Sequence, residues 1–508
     1  MQINQRKAGI LLNYLGEAIK ILTALIYTPV MLRLLGQSEY GLYQLVSSTV
    51  AYLSLLSLGF GSAYVRYYSR YRVRNDEEGI ARLNGMFISV FCVMSAVCLI
   101  CGGVMAANAQ LVFGDGLTAA ELEKAKLLLV ILVINMAMTF PNSVFNCYLT
   151  AHEAFVVQKL VMVAQNILNP FLALPLLLMG YGSVAMVLVT SLLTVGGFAV
   201  NIYFCFRKLA MRVAFKGMEF SLLKEVSAFT VFIFLNQIID QVNWSVDKFL
   251  LGRMCGTTAV AIYGIGGQLN GLYLQMSTAI SNVFVPKVNQ IVASSDDNRE
   301  LTSLMARVGR VQFLVLALVI SGFVFFGQPF IRLWAGEGYT DSYWVALLLM
   351  VPVTIPLVQN LGIEIQRAKN KHQARSVAYA CLAAGNVVLS IFLIEKWGVV
   401  GAAVGTTVSL VAGNGLFMNW YYHKKLGLDM VFFWKEIGKF LPAVLASAVF
   451  GCLYISVVEI TGWKTLLGSI CVYTAVCSAM MWLLGLNDGE KQLVQKAVRK
   501  IIRVREND

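Results

Sequence analysis

Asn236, Asp240, Asn243 and Asp247 fall at i, i+4, i+7 and i+11, the spacing of one helical face, inside a stretch that is otherwise apolar. Gln237, Gln241, Trp244 and Lys248 form the neighbouring stripe. A second polar stripe, Asn13, Glu17, Lys20 and Tyr27, lies in the first apolar stretch of the chain. Groups of this kind can line a hydrated cavity with opposed charges. The alternative is a dry ion pair that only fastens helices together, and Glu17–Lys20 could also be a self-satisfied i,i+3 pair. Asp240 is the candidate for ion coupling, because a carboxylate alternately shielded from water and exposed to it can take up and release a proton.

Signs of catalysis are missing. There is no GxxxxGK[ST] phosphate loop, so nothing points to ATP hydrolysis. His152, His372 and His423 are far apart and give no metal-ligand spacing. Asp296-Asp297 reads as a solvated helix start. Cys98 and Cys101 make a CxxC, but Gly102 and Gly103 follow in an uncharged run, so they read as small apolar helix residues. The expectation is a chain that is not an enzyme, with no catalytic residue, metal or cofactor.

The elements that carry these stripes are set by hydropathy. Of the 508 residues 58% are hydrophobic and 13% charged, about half the charge fraction of soluble domains. From Leu160 to Phe206 there is no Asp, Glu, Lys or Arg. That run holds two stretches of about 20 residues, the length needed to cross a bilayer. In hydrocarbon each backbone group must be satisfied within its own segment, so each stretch is expected to be an α-helix. The expected fold is an all-α polytopic membrane protein of about fourteen spans. They run roughly 8–32, 40–65, 85–107, 127–149, 160–180, 183–206, 227–252, 259–286, 311–334, 343–366, 376–394, 398–422, 437–459 and 464–486. A charge at mid-bilayer costs at least about 2.5–3.5 kcal/mol, so the few buried ones point to function.

With the N-terminus in the cytoplasm, the inner segments hold 31 of the 40 Lys and Arg and the outer ones 8. This asymmetry predicts that both termini are cytoplasmic. It also explains the net charge of +13 without nucleic acid as a partner. The tail from Glu490 to Arg505 is a candidate basic helix on anionic lipid, or else a solvated basic stop.

An internal repeat is visible. Leu35–Tyr43 matches Cys255–Tyr263 at an offset of 220, and Tyr181–Val184 matches Trp397–Val400 at 216. The matches lay spans 1–6 over spans 7–12. Six is even, so the halves share one orientation and a pseudo-two-fold axis along the membrane normal. The expected domains are a six-helix bundle over 1–220, a second over 221–435, helices 13 and 14 over 436–486, and a basic tail over 487–508. At the 220 offset Lys20 corresponds to Asp240.

Pro29–Tyr43, with Gly36, Glu39, Tyr40 and Gly41, resembles the entry segment of bacterial oligosaccharide flippases of the O-antigen and capsule type. So do Leu58–Ala63, Val65-Arg66-Tyr67, Asp247–Gly252 and Ala261-Ile262-Tyr263. The resemblance runs from end to end of the chain. It belongs to a superfamily that also holds multidrug extrusion proteins and the lipid II flippase. It implies two six-helix bundles around a V-shaped cavity in a bacterial plasma (inner) membrane. It also implies a cargo, a polyprenyl-pyrophosphate-linked oligosaccharide, moved by alternating access for surface polysaccharide biosynthesis. Membrane lipids, a polysaccharide polymerase and glycosyltransferases would be its partners. A pyrophosphate needs cations. Lys20 lies at mid-membrane, and Arg66, Lys248 and Arg253 nearer the ends. The acids Glu17, Asp240 and Asp247 suit the runner-up reading, an ion-coupled multidrug exporter of the same superfamily.

Overall fold

The computed structural model describes residues 5–217, 220–369, 371, 373–492 and 495. Among these the chain is almost entirely helical and forms no strand. The helices are α1 (Gln5–Leu35), α2 (Gln37–Ala51), α3 (Phe60–Val73), α4 (Glu77–Ala107), α5 (Ala109–Phe113), α6 (Ala119–Ala151), α7 (Phe155–Leu178) and α8 (Gly182–Arg207). They continue with α9 (Phe220–Cys255), α10 (Thr257–Ser281), α11 (Val285–Ser294), α12 (Asn298–Trp334), α13 (Ser342–Val358) and α14 (Asn360–Ala368). The last are α15 (Gln373–Leu410), α16 (Met418–Lys424), α17 (Met430–Gly438), α18 (Leu441–Val457) and α19 (Trp463–Met480).

Among the described residues, eleven helical stretches are long and apolar enough to cross a membrane. One of them, Gln373–Lys424, is broken at Gly398 (φ 56°, ψ −128°), where the sequence places the turn between its eleventh and twelfth spans. The expected spans seven and eight are the helices α9 and α10, which are not among the eleven. Outward-facing Leu22, Ile26, Ile100, Phe171, Leu192 and Leu453 are more than half exposed. Such a surface is unfavourable in water and matches hydrocarbon.

The chain packs as two compact units. One comprises Met1–Gly264 with Tyr379–Ala402, the other Ile265–Ala378 with Ala403–Asp508. In the first unit α6 packs between α4 and α8, and α7 between α1 and α8. The segment after α8 folds back: Ala214 N donates to Ala81 O at 2.9 Å, and Asn84 Nδ2 to Arg212 O at 2.8 Å. In the second unit α12 is the central helix. Ala317 and Phe326 pack there against Phe440, Ala443, Leu466 and Tyr473.

The repeat read from sequence has a backbone counterpart. Gly36 and Gly256 both hold left-handed φ (75° and 84°), as do Gly182 and Gly398 (65° and 56°). Each pair occupies repeat-related positions at a helix start, where glycine adopts this conformation at least cost. Repeat mates also touch within the first unit. A Cβ added at Gly41 would lie 3.2 Å from Ala261 N, and one added at Gly264 would lie 3.4 Å from Gln44 Cγ. A residue meets its own mate where a two-fold axis passes between them, here between α2 and the start of α10.

Candidate functional site

Helix α9 carries the polar face. It packs on α2, α3 and α5 and ends at Gly256. Asp247, near its end, is 2% exposed. Tyr263 Oη donates to Asp247 Oδ2 at 2.5 Å. Ser390 Oγ lies 3.2 Å from Asp247 Oδ1 and 3.4 Å from Asn386 Oδ1. Lys248, one residue on, turns to α2 and donates from Nζ to Gln44 Oε1 at 3.1 Å. One turn and two turns earlier the face opens: Asn243 is half-buried and Asp240 exposed. The Asn236 side chain lies outside the described structure.

A second polar cluster lies where α2, α6, α8 and α10 begin. Glu121 Oε1 accepts from Ser38 Oγ at 2.5 Å and from Thr257 Oγ1 at 2.7 Å, while Thr118 and Glu121 form a capping box. The neighbouring Glu39 Oε1 accepts from Lys124 Nζ at 2.7 Å, and from Ser183 N and Oγ at 2.6 and 2.9 Å. A carboxylate is well placed at the N-terminus of α8, where free N–H groups point outward. The backbones close in beside these bonds. A Cβ at Gly41 would fall 1.8 Å from Thr257 O, and one at Gly116 would fall 2.2 Å from Gly252 O. Arg253 reaches across to Leu111 O at 3.3 Å. Segments far apart in sequence are thus latched together at this end.

The other stripe is more open. Lys20 Nζ stands 3.9 Å from Glu17 Oε2, with the two side chains 54% and 41% exposed. Arg66 is exposed. Lys20 and Asp240, paired by the repeat, are both exposed.

A family model described as polysaccharide biosynthesis protein matches residues 7–292, more than half of the chain. The chain belongs to this family. A Shigella flexneri protein named as an O-antigen transporter is 19% identical over 420 residues, which is 81% of this chain and 96% of the relative. The solved lipid II flippase MurJ, in an inward closed conformation, superposes with a TM-score of 0.70 at 14% identity, covering 93% of this chain and 98% of that one. A multidrug resistance MATE transporter in an inward-facing conformation gives 0.65 at 15% identity over 78% and 95%. These structural likenesses establish a common helical fold.

In this polysaccharide-biosynthesis family member, sequence reasoning found Asp247 but not the residues that hold it. Asn386 and Ser390 stand at i, i+4 in an expected span, a visible signal. Glu121 is legible as a capping box from Thr118 and Glu121. Its second task, binding Thr257 across 136 residues, has no local signature.

Proposed function

We propose that the chain is a flippase that carries a polyprenyl-pyrophosphate-linked oligosaccharide across the bacterial plasma membrane by alternating access. The family match carries this reading, because its relatives are named as transporters and flippases. The physical chemistry supports it. A sugar headgroup needs a wet polar path while the lipid tail stays in the bilayer, and exposed Lys20 and Asp240 with half-buried Asn243 supply polar groups on two apolar helices. Lys20 is assigned to the pyrophosphate, and Arg66, Lys248 and Arg253 to anionic groups nearer the ends. We take both termini as cytoplasmic, with six-helix bundles over 1–220 and 221–435, helices 13 and 14 over 436–486 and a basic tail over 487–508. In that orientation the Ser38–Glu121–Thr257 latch faces outside and holds that side shut, so cargo enters from within.

Asp240 and Asp247 divide the coupling role. Asp240 is exposed and Asp247 is sealed behind Tyr263 and Ser390, so proton or cation exchange at Asp247 requires α9 to move. A polysaccharide polymerase and glycosyltransferases would act before and after the translocation step.

Flipping of a fluorescent polyprenyl-pyrophosphate oligosaccharide by the purified chain in vesicles tests the reading. Lys20→Ala is expected to insert normally and lose flipping; undiminished flipping removes Lys20 from the pyrophosphate role. Cysteines at Asp240 and Asn243, in a cysteine-free background, should react with an impermeant thiol reagent while one at Ile238 does not. Asp240→Asn that kept its dependence on the proton gradient would shift coupling to Asp247. The MATE likeness and the acids Glu17, Asp240 and Asp247 favour a second reading, export of cationic drugs. Drug resistance without restored surface polysaccharide in a deletion strain would select it.

A further inference from the structure

The second compact unit contains a groove of about 460 Å³ lined by none of the residues assigned above to the flipping path. It lies between α12, α13 and the π-helical turn Val411–Phe417, and its walls include Phe313, Leu348, Val351, Pro352, Val411 and Trp434. Pro352 helps to shape it. Proline has no N–H, so the carbonyl of Leu348, four residues earlier, loses its helical partner. Thr407 repairs this from the neighbouring helix, donating to Leu348 O at 2.6 Å. The other hydroxyl in the lining, Thr354, is also turned away and donates to Met350 O at 2.8 Å. The Trp434 indole N–H donates to Asn419 Oδ1 at 2.5 Å. The two hydroxyls and the indole N–H of the lining are thereby satisfied within the protein, which offers water few partners and suits hydrocarbon.

The groove is long and open at the side. Its α13 wall runs from Leu347 to Val358, about 16 Å of helix at 1.5 Å per residue. Val351 and Val411 on its walls are 52% and 40% exposed, so a chain can enter laterally. The segments around Trp434 carry three lysines against one exposed acid, Asp429 at the start of α17. Lys435 follows it in α17, and Lys424 and Lys425 close the packed α16, all three exposed. Tryptophan beside lysine marks headgroup level, and lysines there attract anionic lipid.

We propose that this groove is a binding site for an anionic phospholipid, with one acyl chain between α13 and the 411–417 turn and its headgroup against Lys424 and Lys435. The length fits a single acyl chain rather than a much longer polyprenyl tail. The basic rim selects an anionic head.

Native mass spectrometry of the intact chain, equilibrated with phosphatidylglycerol or phosphatidylcholine, tests the site. The parent chain should retain one phosphatidylglycerol in preference to phosphatidylcholine. Val351→Trp and, from the opposite wall, Val411→Trp should each fill the groove and weaken that retention about tenfold. A Lys424→Ala, Lys435→Ala double variant, altered only at the surface, should keep a bound lipid but lose the preference for phosphatidylglycerol. Unchanged retention in both tryptophan variants, or an unchanged preference in the lysine variant, would overturn the proposal. So would displacement of the bound phosphatidylglycerol by equimolar polyprenyl phosphate, which would make the groove a seat for the cargo tail. None of these readouts depends on flipping activity.

Discussion

Two polar clusters, one in each compact unit, are built on opposite principles. In the first unit, Glu121 is held by the hydroxyls of Ser38 and Thr257 and by its own capping box. In the second, Arg310 is 3% exposed and meets fixed partners on several sides. It forms a two-pronged pair with Glu490 at 2.6 and 2.7 Å, donates to Glu436 O at 2.6 Å and to Gly485 O at 2.9 Å, and lies 4.5 Å from the centre of the Phe440 ring. Hydroxyl bonds to a carboxylate are single and can be traded for water one at a time. A forked guanidinium with planar, charge-assisted bonds holds one geometry and loses much when any partner leaves. The first arrangement suits a contact that opens in each cycle, and the second a permanent fastening of α12, α17 and the start of the tail.

The comparison can be broken most sharply at Arg310. Arg310→Ala strands Glu490, and the folded state should lose about 3–5 kcal/mol, the usual cost of removing one partner of a buried pair. Yield of monodisperse protein and its thermal midpoint measure this; near-parental values would show that the clamp is not a fastening. Next comes the close approach at Gly41. A valine there meets a backbone carbonyl that cannot swing away, an overpacking cost of about 1–3 kcal/mol. It should hold the latch open, so that a cysteine at Ser38 reacts faster with an impermeant thiol reagent applied outside. Labelling at the parental rate would mean that this end does not open during transport.

Smaller effects sharpen the contrast. Thr257→Val removes one hydroxyl donor to Glu121 and should favour the open latch by about 0.5–1.5 kcal/mol. Transport should survive, with its rate altered; complete loss would move Thr257 from the latch into the cargo path. The smallest effect is one of pH. Burial opposes ionisation of Glu490, but the hydrogen bonds from Arg310 and the Asn487 N–H, with the charges of Arg310 and Lys439, together outweigh this and hold its pKa below the ordinary 4.5. A depressed carboxyl stabilises the folded state fully above 4.5, and that contribution fades as pH falls through the lowered value. Glu490→Gln should therefore melt below the parent at pH 7, with the gap narrowing below pH 4.5. A gap independent of pH would remove Glu490's charge from the clamp.

Much of this architecture is legible in the residues. Apolar runs of membrane length, free of charge from Leu160 to Phe206, have helix as their open choice in hydrocarbon. Gly36 and Gly256, 220 residues apart, mark the repeat because the backbone there takes a left-handed turn, and it does so in both copies. The α9 stripe is legible for a similar reason: helical periodicity is a local property, and Asp240, Asn243 and Asp247 announce it wherever the helix is placed.

Sequence alone therefore determined a helical membrane protein, its repeat, and the polar face of α9. The tertiary structure decided which of those polar groups are sealed. Asp240 and Asp247 are two turns apart on one stripe, yet one is exposed and the other is enclosed by Tyr263 and Ser390, a residue 143 positions away. It also decided the partners of Glu121, Arg310 and Leu348 O. Periodicity specifies the direction in which a side chain leaves its helix. What it meets there depends on how distant helices cross, and such crossings are set by small residues such as Gly41 and by the packing of whole helices, which no local pattern encodes.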